Sequence, residues 1–424
     1  MKNYRKRIVD SILDEKLQYA GGVIIEGAKW CGKTTTAEHT AKSVLYFDDP
    51  ASVKENCKLA DINPKTLLEG KTPRLIDEWQ IAPKLWDAAR FEIDHRKEFG
   101  QFIFTGSSVP AKMQDIYHSG TGRFSWLRMR PMSLFESGES SGEVSLEKLF
   151  TPDYKIEGIR ETTLKELAFW VARGGWPQAI DMKEKHALAQ ARDYLKATIN
   201  SDMNRVDDTI RDSNKVSKVL RSLSRHQGTQ ASTTTIAKDV FESDDLEINN
   251  QTITSYSEVL TKIFVVEDVH AWNPNLRSKT AIRTSDTHYF VDPSIAVAAL
   301  EATPADLTKD LNTLGLLFET LCMRDLRVYA DKLDGQVYHY RDKTALECDA
   351  IIRLQGGAYG LIEIKLGGDN LIEEGASNLK KLKSKLNVKK MGEPAFLMVL
   401  TGTGRYAYKR EDDVCVVPIA CLAP

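Results

Sequence analysis

Residues Gly22 to Glu26 read G-V-I-I-E, and Gly27 to Thr34 follow at once as G-A-K-W-C-G-K-T. No other stretch restricts the fold as tightly. A short apolar run opened by glycine suits a buried parallel strand, and the residues after it fit G-x-x-x-x-G-K-[ST], a loop that holds phosphate. Gly27 and Gly32 permit the backbone turns that aim N–H groups at phosphate oxygens. The Lys33 ammonium reaches the β and γ phosphates, and the Thr34 hydroxyl can ligate Mg²⁺. A helix starting there presents its positive end to the anion. Gly27, Ala28, Lys29, Trp30, Cys31, Gly32, Lys33, Thr34 and Thr35 are therefore the expected nucleotide-binding residues, with ATP and Mg as cofactors.

Further strands should complete this α/β sheet. Val44-Leu45-Tyr46-Phe47 ends in Asp48-Asp49, and Arg74-Leu75-Ile76-Asp77-Glu78 is an apolar run closed by two acids. In the second, Asp77 would support the Mg²⁺ shell and Glu78 would deprotonate the attacking water. A base at Glu78 suits hydrolysis better than transfer to an acceptor, which argues against a kinase. Gln101 to Phe104 is another strand, ending in Thr105-Gly106-Ser107-Ser108. A polar side chain there can bond the γ-phosphate or the water, and Thr105 and Ser107 are both candidates.

With these stretches, and with Gly120-Thr121-Gly122-Arg123 leading to Arg130-Pro131-Met132-Ser133-Leu134-Phe135-Glu136, the chain resembles the bacterial and archaeal AAA+-type ATPases that carry a DUF4143 C-terminal region. The resemblance implies that the strand-end polar residue is a sensor-1 position. It also implies that an arginine, Arg123 with Arg128 and Arg130 as competitors, lies near the nucleotide or at a subunit boundary, where it neutralises charge on the transferred phosphoryl group. A homo-oligomer would follow, a hexameric ring being one form. Ala172-Arg173-Gly174-Gly175-Trp176-Pro177 would belong to a helical lid, with Arg173 touching nucleotide. Read as plain sequence, the same stretch is a helix stop.

Ser137 to Glu147, rich in Ser, Glu and Gly, reads as a surface linker. Helical patterns over Asn214–Leu223, Thr233–Val240 and Asn249–Ile263, then a strand at Val265–Val269, suggest a winged helix. The recognition-type helix, over Asn249–Leu260, is nearly free of Lys and Arg, so a structural or protein-binding role is expected over DNA binding.

The last third alternates a helix at Leu311–Leu326 with strands at Val337–Arg341, Leu346–Leu354 and Gly360–Lys365. Strand alternation puts Glu363 and Lys365 on one face, and a hairpin could bring Asp349 beside Glu363. Asp349 and Glu363-x-Lys365, with a helical Glu319 upstream, form the constellation of PD-(D/E)-x-K phosphodiesterases. There two carboxylates hold Mg²⁺ and the lysine orients water. The resemblance likewise implies a restriction-endonuclease-like fold for this region. The fold also exists as an inactive binding module, so cutting of DNA or RNA and mere binding of nucleic acid or protein both stay open. Lysines 380, 381, 383, 385, 389 and 390 could offer a phosphate-binding surface or simply a solvated face.

The expected organisation is a P-loop (AAA+/ASCE) parallel-sheet domain at 1–136, linker and helical lid at 137–210, a winged-helix-like segment at 211–282, and a PD-(D/E)xK nuclease-like α/β domain at 283–424. The length of 424 residues accommodates this, and 42% hydrophobic with 28% charged residues excludes a disordered chain. With 58 basic and 60 acidic residues, net −2, composition gives no global sign of nucleic-acid or membrane binding. Six widely spaced cysteines, without metal-ligand spacing, read as reduced thiols. No apolar segment follows the basic start, and no window reaches ~18 apolar residues. A cytoplasmic protein without membrane partners is expected.

Overall fold

The computed structural model describes residues 4–106, 120–204, 209–244, 249–273 and 285–424. The chain forms two units. The first comprises Met1–Pro131, Thr198–Asp212 and Ser257–Val265. The second comprises Met132–Ala197, Ser213–Tyr256 and Val266–Pro424.

In the first unit, β1 (Gly22–Glu26), β2 (Ser43–Tyr46), β3 (Arg74–Asp77), β4 (Phe102–Gly106) and β5 (Phe124–Arg128) form a sheet in the order β2-β3-β4-β1-β5. Every pairing is parallel. The apolar runs are buried, as a parallel sheet requires. On one face Ile24, Ile76, Phe102 and Phe104 join Trp79, Leu85, Trp86 and Ala89 in a core. β4 lies between β1 and β3, so the loops after all three open at one edge, the carboxyl ends of the strands, where ligands of open α/β sheets bind. Helix α1 (Ile8–Lys16) precedes β1, and helix α2 (Lys33–Thr40) follows the phosphate loop.

The second unit is built on a seven-stranded sheet. Its strands are β7 (Gly158–Thr162), β8 (Gly335–Arg341), β9 (Glu347–Leu354), β10 (Tyr359–Lys365), β11 (Phe396–Thr401), β12 (Gly404–Lys409) and β13 (Val414–Pro418), in the order β7-β12-β13-β11-β10-β9-β8. β8, β9 and β10 are an antiparallel meander, and β10, β11 and β13 run parallel. The helix Asp369–Lys385 buries Ala376, Leu379 and Leu382 against Ile351, Leu361 and Val399.

Two sequence expectations are corrected here. Residues 137–147 are not a free linker. Val144–Ser145 (β6) pairs in parallel with Leu422–Ala423 (β14), and the Ser140 hydroxyl donates to Leu422 O at 2.7 Å. Ser140 and Val144 are buried by that long-range pairing, while Gly138, Ser141, Glu143 and Glu147 stay exposed. The winged helix is also incomplete. Helices form at Ser213–Arg225, Thr233–Asp244 and Asn250–Lys262, but the expected strand at 265–269 reduces to single bridges, Val266 to Phe290 and Val269 to Thr287. Phe264, with φ 62°, breaks the extended backbone just before it.

Candidate nucleotide site and a second acidic cluster

The phosphate loop is shaped by its glycines. Gly27 has φ 150°, and a Cβ there would lie 2.0 Å from Met129 O; Gly32 caps α2 at φ 104°. No other residue type fits the first position, because backbone packs against backbone there. Ala28 and Cys31 are fully buried and serve packing, with the Cys31 thiol donating to Met129 O at 3.5 Å. Trp30 is 48% exposed and adopts φ 65°. Thr35 is exposed. Lys33, almost fully buried, donates from Nζ to Gly27 O and Ala28 O, each at 2.9 Å. Its ammonium is thus folded over the loop's own carbonyls. Lys29 pairs with Asp202 at 2.5 Å, a partner that no local spacing reveals.

Thr34 donates from Oγ1 to Asp77 Oδ1 at 2.8 Å, and Thr105 donates to the same oxygen. The register sets this up, since Asp77 faces Thr105 across β3 and β4. Thr105 therefore occupies the strand-end polar position, while Ser107 lies outside the described residues. Burial raises the Asp77 carboxyl above its ordinary range, opposed by the two hydroxyls. A hydroxyl and a buried carboxylate meeting at the mouth of a glycine cradle are hard oxygen donors suited to Mg²⁺ beside a phosphate. Glu78 directly follows. It sits in the left-handed region at φ 54°, accepts from Gln80 Nε2, and is raised by burial against the opposing charge of Lys33.

The arginines at the two ends of β5 stand at opposite edges of the sheet, Arg128 opposite Glu26 beside the phosphate loop and Arg123 at the other end. Gly22 pairs with Phe124, so Arg123 stands at the amino end of the strands, the edge opposite the phosphate loop. It is bound to Asp94 at 2.9 and 3.2 Å. An assignment of Arg123 to its own subunit's nucleotide is corrected accordingly. Arg128 pairs with Glu26 at 2.6 Å and covers Phe264. Arg173, in the second unit, is buried and spends its guanidinium on Glu139 at 2.5 Å and on Gly174 O at 3.0 Å. The turn beside it is structural. Asp292 accepts from Gly175 N and from Arg324, each at 2.9 Å, and Arg324 also pairs with Asp325 at 2.8 Å.

In the second unit the β9–β10 hairpin brings Asp349 beside Glu363, the register running to Ile362 opposite Ala350. Lys365 pairs with Glu363 at 3.0 Å, and Asp349 accepts from Ile364 N at 2.7 Å. Glu319, on the helix Leu311–Lys332, accepts from the Tyr289 hydroxyl. Burial, then the Asp349 charge, pushes Glu363 up to about 8 and Glu319 well above the carboxylate range. Burial disfavours the Lys365 ammonium, but Asp349 and Glu363 outweigh it and hold its pKa up. A small cleft of about 30 Å³, lined in part by Gln230, Tyr289, Glu319, His339 and Asp349, opens onto this cluster.

Each of the three carboxylates already accepts from one of the chain's own donors. Among the described residues no group of three His, Cys, Asp or Glu side chains is arranged to hold a metal ion. As it stands the cluster is held together by the chain's own donors and by the Lys365 charge. Three of the six lysines of the basic run are ion-paired, Lys380 with Asp412, Lys383 with Glu393 and Lys385 with Asp342, at 2.6–3.0 Å. No helix among the described residues is long and apolar enough to cross a membrane.

Residues 20–137 match the family model of an AAA domain. Residues 164–306 match one domain of unknown function, DUF8612, and residues 314–422 another, DUF4143. Among solved structures the chain is similar to a Walker-type ATPase of Pyrococcus abyssi, with 13% identity over 70% of this chain and 96% of that one, at a TM-score of 0.42. No curated protein matches it.

Proposed function

With an AAA domain near its start and a DUF4143 domain near its end, we propose that the chain binds ATP with Mg²⁺ and hydrolyses it to ADP and phosphate. The nucleotide cycle would set the state of the second unit. The observation that carries this reading is the convergence of Thr34 and Thr105 on one oxygen of Asp77, directly beside Glu78, at the mouth of the Gly27–Lys33 loop. Lys33 would leave its loop carbonyls for the β and γ phosphates, and loop N–H groups would hold the remaining phosphate oxygens. Thr34 and Asp77 would hold the Mg²⁺, which when bound neutralises phosphate charge. Thr105 would orient the γ-phosphate or the water, and Glu78 would take the water's proton.

The test is phosphate release from Mg·ATP without any acceptor. Wild type should release phosphate and Lys33→Ala should not. Turnover that survives Lys33→Ala, or that needs an added acceptor, sinks the hydrolase reading.

For the second unit the first reading is ATP-controlled cutting of nucleic acid through Asp349, Glu363 and Lys365. The self-neutralised cluster favours the alternative, a non-cutting unit that binds nucleic acid or protein under ATP control. Incubation of DNA and RNA with Mg²⁺ or Mn²⁺, with and without ATP, separates the two. We expect no cleavage. Metal-dependent cleavage lost in Asp349→Ala would restore the cutting reading.

A further inference from the structure

The phosphate loop is held from behind by a residue outside the matched AAA segment. Arg7, at the start of α1, is 4% exposed. Its Nη1 donates to Cys31 O at 2.9 Å and its Nη2 to Arg130 O at 2.8 Å. The first acceptor belongs to the loop. The second directly follows Met129, whose carbonyl backs Gly27 and whose N–H donates to Glu26 O at 2.7 Å. One guanidinium thus spans the loop and the segment after β5 that backs it, using the two-pronged geometry a lysine lacks.

The consequence follows from peptide geometry. The carbonyl of Cys31 and the N–H of Gly32 belong to one planar trans unit and point in opposite directions. Fixing the carbonyl toward Arg7 fixes the N–H toward the other side of the loop, where phosphate oxygens are bound in this kind of turn. Arg7 is itself held. Asp10 accepts from Arg7 N at 2.8 Å and from the Tyr4 hydroxyl at 2.6 Å. That hydroxyl also lies 3.0 Å from Thr36 Oγ1, and the Tyr4 ring stacks on His39 at 4.4 Å. Tyr4 thereby clamps α1 to α2 without touching the loop carbonyls.

We infer that Arg7 is a positioning residue for nucleotide, presetting the Gly32 N–H before ATP arrives. This rests on the ATP-binding reading above. The experiment measures binding of mant-ATP with Mg²⁺, and thermal unfolding without nucleotide, for wild type, Arg7→Ala, Arg7→Lys and Tyr4→Phe. Loss of two bonds to a charged donor should weaken binding about tenfold or more in Arg7→Ala. Arg7→Lys keeps one bond and should fall between. Tyr4→Phe should lower the unfolding temperature while leaving affinity within about twofold, as expected for a contact that does not reach the loop. The melting measurement separates positioning from plain stability. If Arg7→Ala does not fold, Arg7→Lys decides, since unchanged affinity in that variant overturns the inference. Affinity that tracks melting temperature across all three variants also overturns it. Wild type that binds no mant-ATP overturns both this inference and the ATPase reading. Wild type that binds, with both Arg7 variants equal to it, overturns this inference alone.

Discussion

At the scale of single residues, Glu78 carries the most specific consequence. Its left-handed backbone, which a non-glycine residue adopts at a cost of about 1 kcal/mol or more, turns the carboxyl off the end of β3, and Gln80 bonds it there. Replacing it by Gln keeps size and polarity but removes the base. Glu78→Gln should cut kcat about 10²- to 10⁴-fold while leaving mant-ATP affinity near wild type. Because burial raises its pKa, the acidic limb of the wild-type kcat–pH profile should lie above the ordinary carboxylate range near ~4.3. A limb at or below that value, or near-normal kcat in the variant, would remove Glu78 from the role. The glycines, Lys33, Thr34, Asp77 and Glu78 were legible because their spacing is local. Arg7, Asp202 and Gln80 were not, since nothing in a basic amino terminus says which carbonyl an arginine will find.

At the scale of elements, the apolar runs foretold strands β1 to β4 and β8 to β10 to within a residue or two, because burial dictates period and length. Partners were not foretold. The pairing of β6 with β14 joins opposite ends of the second unit's sequence, and periodicity carries no record of it. The failed wing shows the same limit. The segments 266–269 and 287–290 meet through single bridges, and His288 ties them by its Nδ1, 3.0 Å from Asp268, with Nε2 3.2 Å from Ala231 O. The bond to Asp268 raises the imidazole pKa above 6.5, against a smaller effect of burial, and Asp286 adds to the rise. A raised pKa means the folded state holds the proton more tightly. The stabilisation is therefore complete below the unfolded value near ~6.5 and is lost as pH rises through the folded one. The unfolding temperature of wild type should fall across that window, and His288→Gln should flatten the decline. Parallel curves for the two proteins would show that the pair contributes nothing.

At the scale of the whole molecule, the placement of Arg123 decides what kind of assembly could complete the nucleotide site. It lies at the edge of the sheet opposite its own phosphate loop, with a side chain 41% exposed and paired to Asp94. A finger that cannot reach its own nucleotide can serve only a neighbour's, and a head-to-tail contact is the arrangement that brings opposite edges of identical subunits together. Such contacts close into rings when the rotation permits. A trans role therefore makes two linked predictions. Native mass should rise above that of the monomer when ATP and Mg²⁺ are present. Arg123→Ala should retain mant-ATP binding but lose most hydrolysis, by about 10³-fold if it acts as fingers do elsewhere. Mixing settles the matter more sharply than either measurement. Lys33→Ala subunits keep the arginine but lack a working loop, whereas Arg123→Ala subunits keep the loop but lack the arginine. Mixed, they should regain activity that neither has alone, because some junctions pair an intact loop with an intact arginine. A monomer with and without ATP, or a mixture no more active than its parts, would assign Arg123 to its ion pair with Asp94 and nothing further.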